Sequence, residues 1–185
     1  RLVAVAAGRS PADLVITNCQ WVNVHSREVL PDSQIAIADG RFAYCGPDAS
    51  HCIGPKTEII DAGGMFAIPG LCDGHMHIES GMLTPGQFAR AVIPHGTTSM
   101  FTDPHEIANV LGLYGVRLMH DDAMMQPVNI YTQMPSCAPS APGLETTGHE
   151  LGPDEVEQAM AWPGIIGLGE MMNFPGVVNG DPKML

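Results

Sequence analysis

Two histidines, His75 and His77, stand one residue apart in the run Pro69-Gly70-Leu71-Cys72-Asp73-Gly74-His75-Met76-His77-Ile78-Glu79. Side chains alternate along a strand, so in extended backbone the two imidazoles point the same way. Paired neutral imidazoles on one face grip a divalent transition metal. Asp73 and Glu79 share that parity and are placed to support the ligands from behind. On its own, such a pair equally describes surface or core histidines. Its position at the end of a strand that opens a βα series favours the metal reading, because barrel enzymes keep their sites there.

A second group is Glu170, in Gly167-Leu168-Gly169-Glu170-Met171-Met172-Asn173. At the end of a later strand it faces the same mouth as the histidines, where a carboxylate can bridge two cations. A solvated loop glutamate is the alternative. Some metallohydrolases bridge with a carbamylated lysine, but the lysines here are Lys56 and Lys183, neither at a strand end of the βα region. The third group is Thr102-Asp103-Pro104-His105-Glu106. Asp103 as N-cap, Pro104 at the first helical position and Glu106 two residues later make a capping box, which is a structural reading. His105 is not absorbed by it, and Asp103 can serve as cap and ligand together. His25, His51 and His149 fall in turn-rich contexts. His95 and His120 close helices, where a cation interacts favourably with the last carbonyls. Met171 and Met172 read as core, or as walls of an apolar slot for a flat ligand.

The elements that must position these groups differ between two regions. Between Asp13 and Ala67 short β-like runs (Leu14–Ile16, Trp21–Val24, Ile35–Ile37, Phe42–Cys45, Glu58–Ile60) alternate with turns, and Asp39-Gly40 is a type I′ hairpin signal. From Phe66 onward strand candidates at Phe66–Cys72, Thr97–Thr102, Val128–Met134 and Ile165–Gly169 alternate with helical patterns. The clearest pattern is Ile107, Val110, Leu111, Tyr114 and Leu118 on one face of a single helix. This is an α/β chain: a small antiparallel β-rich segment, a partial β-sandwich, over residues 1–66, and parallel βα units over residues 67–185. A closed eightfold barrel takes roughly 250 residues, so the second region amounts to about half of one. Pro135 to Gly143 forms a stiff loop after the third of these strands, where such a barrel carries its working loops.

Composition narrows the classes further. The 185 residues are 45% hydrophobic and 15% charged, enough to build a core. Lys+Arg number 8 against 20 Asp+Glu, a net charge of −12, which repels phosphate backbones and anionic membranes. A nucleic-acid or membrane-surface binder is disfavoured. No apolar run reaches the roughly 20 residues of a membrane span. The opening Leu2–Ala7 reads as a surface helix rather than a signal core. Five cysteines without a CxxC suit reduced thiols in a cytoplasmic protein.

Taken together, PGLCDGHMHIES (Pro69 to Ser80), PHGTT (Pro94 to Thr98), DPHEIANVLG (Asp103 to Gly112), Pro135-Ser136-Cys137 and GLGEMMNFPGV (Gly167 to Val177) resemble the bacterial adenine deaminases of the amidohydrolase superfamily. The resemblance implies the N-terminal half of a (β/α)8 amidohydrolase barrel beside a small β domain built from both chain ends. It implies that His75 and His77 ligate a metal, that Glu170 bridges a binuclear pair (manganese or iron), and that Asp103 lies near that pair. Glu170 and Asp103 would be catalytic, and His105 and Glu106 would contact substrate. The implied reaction is hydrolysis of adenine to hypoxanthine and ammonia by a cytoplasmic homo-oligomer, a dimer by family resemblance. The family's other metal histidines and its catalytic aspartate come from later strands, so residues 1–185 alone are expected to hold a partial site and be inactive. The zinc signature of cytidine-deaminase-type enzymes is missing. Two alternatives are an amidohydrolase acting on cyclic amides and a non-catalytic half-barrel module.

Overall fold

A computed structural model describes residues 1–185. Its contacts divide the chain into two compact units, Arg1–Pro69 and Gly70–Leu185.

In the first unit a short helix, α1 (Leu2–Ala6), precedes strands β1 (Leu14–Asn23), β2 (Glu28–Ala38), β3 (Arg41–Gly46), β4 (Glu58–Asp61) and β5 (Phe66–Ala67). They make one sheet in the order β3-β2-β1-β4, with β5 also pairing β1. The β1–β2 and β2–β3 pairs are antiparallel, whereas β4 and β5 run parallel to β1. The two-residue turn behaves as its sequence dictates: Asp39 (φ 53°) and Gly40 (φ 68°) are both left-handed, as type I′ requires. Two of the expected short strands join into β1. The pairing register slips between Ile16 and Trp21 around Asn18, whose φ of 53° is one that Asn tolerates better than most residues. Period-two alternation sorts the sheet's side chains into two clusters. Val15, Ala36 and Ala38 pack with Val5 of α1, while Ile16, Ile35 and Ile37 pack with Cys19, Trp21 and Ala62.

The second unit is a four-stranded parallel sheet, β6 (Leu71–Met76), β7 (Thr97–Thr102), β8 (Asn129–Met134) and β9 (Ile165–Leu168), in chain order. Helices α2 (Pro85–Val92), α3 (His105–Leu111), α4 (Leu113–Met124) and α5 (Pro153–Met160) lie between the strands, and α6 (Phe174–Asn179) follows β9. Met100, Ile130, Ile78, Ala89, Met119 and Ala123 form one core between sheet and helices; Ala108, Val116, Met134, Leu151 and Ala159 form another.

Three local expectations are corrected. The strand expected over Phe66–Cys72 is split: Phe66–Ala67 pairs with β1, and the parallel sheet starts at Leu71, because Pro69 has no N–H to give a ladder. The helix expected through Ile107 and Leu118 breaks at Gly112 (φ 61°, ψ −145°) into α3 and α4. The break changes the helical phase, so Val110, Leu111, Tyr114 and Leu118 face outward while Ala108, Val116 and Met119 are buried. The capping box at Asp103 does not form. Pro104 is the N-cap of α3 with no side-chain cap, because the Asp103 carboxylate is engaged elsewhere.

Candidate metal centre

The C-terminal ends of β6, β7 and β9 and the loop after β8 bring the chemistry-bearing groups together. His75 lies in the last turn of the β6 pleat. His77, just beyond it, is still extended (φ −113°, ψ 99°) before the 3-10 turn Ile78–Gly81. Alternation therefore carries through, and the two Nε2 atoms are 3.2 Å apart, with the ring planes at 82°. Glu170, two residues past β9, places Oε1 3.2 Å from His77 Nε2 and 3.4 Å from His75 Nε2. These two nitrogens and one oxygen are thus mutually 3.2–3.4 Å apart. Ligands on bonds of about 2.1 Å sit about 3.4 Å apart around a tetrahedral cation and about 3.0 Å apart around an octahedral one. The spacing fits a shared cation.

Charge supports that fit. Glu170 and Glu106 have histidines as their only ion-pair partners, and Glu79 and Asp103 add two further carboxylates without a Lys or Arg in contact. A divalent cation held between them would offset that concentration of negative charge.

Asp103 is not in the ligand triad but directly behind it. It is completely buried. Its Oδ2 accepts the Glu170 backbone N–H at 3.0 Å, and its Oδ1 has no partner. Burial raises its pKa, against the lowering effects of that N–H and of His105, His77 and His75. Close approach of Asp103 to β9 depends on Gly169, where a Cβ would fall inside the carboxylate.

Glu106 reaches the other side of His77. Its Oε2 is 3.1 Å from His77 Nδ1, at an angle that leaves Nδ1 without a hydrogen bond, so the contact is electrostatic. Its Oε1 accepts the Ser80 hydroxyl at 2.8 Å. Burial opposes ionisation of Glu106, but the Ser80 hydroxyl, the backbone and His77 outweigh it and lower its pKa. For His77, burial disfavours the charged ring, yet Glu106, Asp103 and Glu79 raise its pKa overall. Glu79, packed beside Glu106 and accepting from the Ile107 N–H, is pushed up to about 7 by burial and then by repulsion from Glu106. It groups with His77 and Glu106 as a second set of potential ligand atoms. Asp73 instead accepts the His75 backbone N–H at 3.2 Å. His105 is 4% exposed, with Nε2 2.8 Å from the Ser140 hydroxyl and Nδ1 unpartnered. The helix-closing role expected of His120 gives way to burial, with Nε2 3.0 Å from the Pro163 carbonyl.

Ser136 and Ser140 also reach the site. Ser136 enters only within the Pro135-Ser136-Cys137 stretch of the resemblance and Ser140 only within the stiff loop, neither with a role. Ser136 Oγ donates to the Glu170 carbonyl at 2.5 Å, and Ser140 packs on His105. Both touch groups 34 or 35 residues away, so no local pattern marks them; the Pro-rich rigidity of the loop was the available signal.

No helix is long and apolar enough to cross a membrane, and none of the five cysteines is paired. The structure resembles the zinc complex of the atrazine chlorohydrolase TrzN from Arthrobacter aurescens TC1, with TM-score 0.62 and 16% identity over 84% of this chain and 46% of that one. In sequence, the chain is 77% identical over its whole length to an adenine deaminase of Ruegeria pomeroyi and 58% identical over 99% of its length to one of Moorella thermoacetica. It spans about 30% of the length of these relatives. The Amidohydrolase family model matches residues 66–180. The chain, with its strand-end histidines and half-barrel of parallel βα units, belongs to the amidohydrolase family.

Proposed function

We propose that the protein is a metal-dependent aminohydrolase that converts adenine and water to hypoxanthine and ammonia. The observation that carries the chemistry is the meeting of His75 Nε2, His77 Nε2 and Glu170 Oε1 within 3.2–3.4 Å. The relatives named adenine deaminase, at 77% identity in the first case, support the purine as substrate. In this reading residues 1–66 belong to a small β domain and residues 67–185 to the first half of the barrel.

The imidazoles of His75 and His77, with the Glu170 carboxylate, would hold the divalent metal, a binuclear pair of manganese or iron ions shared through Glu170. When bound, such ions lower the pKa of water so that hydroxide is available near neutral pH. Asp103 fixes the Glu170 backbone through Oδ2, and its free Oδ1 is the atom placed to take up and return a proton. Glu106, kept ionised by Ser80 and His77, would accept an N–H of the purine, and His105 is the second residue assigned to the substrate. Net hydrolysis forms a C6–O bond and breaks the C6–N bond, with the proton delivered to the departing amine. A cytoplasmic homodimer is the assembly proposed.

The test is ammonia release by the full-length protein loaded with manganese. Adenine turnover, with no hydrolysis of dihydropyrimidine-type cyclic amides, is the expected result. Hydrolysis of the cyclic amides without adenine turnover would overturn the substrate assignment.

A further inference from the structure

We propose that Ser136 is a positioning residue for the Glu170 carboxylate. The two peptide groups that flank the Glu170 Cα are each held. The Glu170 N–H donates to Asp103 Oδ2 at 3.0 Å, and the Glu170 carbonyl accepts the Ser136 hydroxyl at 2.5 Å. The preceding residue is held as well, with Gly169 N–H donating to the Met134 carbonyl at 2.7 Å. The ends of β7 and β8 and the loop after β8 therefore each contribute one bond to the short segment that presents the carboxylate.

The Ser136 side chain has little else to do. Its other neighbours are sulfur atoms, Cys137 Sγ at 3.6 Å and Met171 Sδ at 3.8 Å, both weak acceptors. Its own backbone is fixed. Pro135, Cys137, Ala138 and Pro139 are all buried, and the Ala138 carbonyl accepts the Leu151 N–H at 2.8 Å. A hydroxyl on so rigid a loop is set in place before any cation arrives. Without it the Glu170–Met171 peptide is free to turn while only the Gly169–Glu170 peptide stays tied to Asp103, and the segment carrying Oε1 loses its register with the two Nε2 atoms. Groups that orient a ligand in this way commonly govern metal affinity.

The inference rests on reading Glu170 as a ligand, and the test separates the two. Metal-free full-length protein is titrated with Mn²⁺ alone, with no adenine, for the parent and for Ser136→Ala, Ser136→Cys, Ser136→Thr and Glu170→Gln; the melting midpoint of each metal-free form is also measured. Ser136→Ala and Ser136→Cys are expected to bind Mn²⁺ about 10- to 100-fold more weakly at a nearly unchanged metal-free midpoint, and Ser136→Thr, which keeps the hydroxyl, to return close to the parent affinity. Parent-like affinity in Ser136→Cys while Glu170→Gln is weakened would overturn the role of Ser136 alone. Parent-like affinity in both would overturn the ligand reading with it. Weakened binding that Ser136→Thr fails to restore would also overturn the role.

Discussion

Replacing Gly169 by alanine tests whether the segment behind the triad is as tightly set as its geometry indicates. The backbone at Gly169 is not left-handed, so alanine brings no conformational strain and the whole effect is steric. Its Cβ would lie inside the Asp103 carboxylate. Asp103 is completely buried and bonded to Glu170 N–H, and Gly169 is itself tied to Met134, so neither side is free to move. If Asp103 swings away, a hydrogen bond to a charged group is lost, about 1.5–3 kcal/mol. If the end of β9 shifts instead, the overpacking strain is about 1–3 kcal/mol. Gly169→Ala is therefore expected to destabilise the metal-free protein by about 1–3 kcal/mol, lowering the melting midpoint by about 2–12 °C. The control is the same change in an Asp103→Ala background, where the obstructing atoms are gone. There the step is expected to cost less than about 1 kcal/mol, the difference being the coupling between the two sites. Calorimetry of the four proteins decides. A penalty under about 0.5 kcal/mol in the parent, or an equal penalty in both backgrounds, would refute the packing argument.

Other outcomes follow from the same geometry. Asp103→Asn keeps an acceptor for Glu170 N–H but removes the charge, so metal binding is expected to survive while adenine turnover falls at least about 100-fold; parent-like turnover would count against Asp103 as the proton carrier. Glu79, whose pKa rises from the ordinary carboxylate range to about 7, takes up a proton more readily in the folded state. Its contribution to stability is thus complete below about pH 4.5 and disappears as pH rises through about 7. In metal-free protein Glu79→Gln should flatten the decline in melting midpoint over that window, and an unchanged pH profile would contradict the burial argument. Burial raises the thiol pKa of Cys19 and Cys52. Both should resist iodoacetamide at pH 8 in the native protein and react after denaturation, as peptide mapping would show; rapid native labelling would disprove their enclosure.

What could be seen from residues alone was whatever depends on short range. The positive φ values at Asp39-Gly40 follow from the residues of the turn, and strand alternation at His75 and His77 follows from a period of two. Glu170 was reachable because a strand end in a parallel βα series has only one mouth to face. Long-range competition was hidden. Asp103 has the sequence of a helix cap, yet its carboxylate serves a backbone N–H 67 residues later, a partner no local motif announces. Gly112 lies inside an apolar stripe of correct helical spacing, and only the packing of Ala108 and Val116 shows that the chain changes phase there. Ser136 and Ser140 carry no spacing signal, because their function comes entirely from what the fold sets opposite them.

The most direct test of the account is titration of metal-free full-length protein with Mn²⁺ before and after His75→Ala/His77→Ala, checking by circular dichroism that the variant stays folded. The double variant is expected to lose at least about 100-fold in affinity together with its capacity to release ammonia from adenine. A folded double variant that binds Mn²⁺ as tightly as the parent would contradict the reading of the pair as ligands.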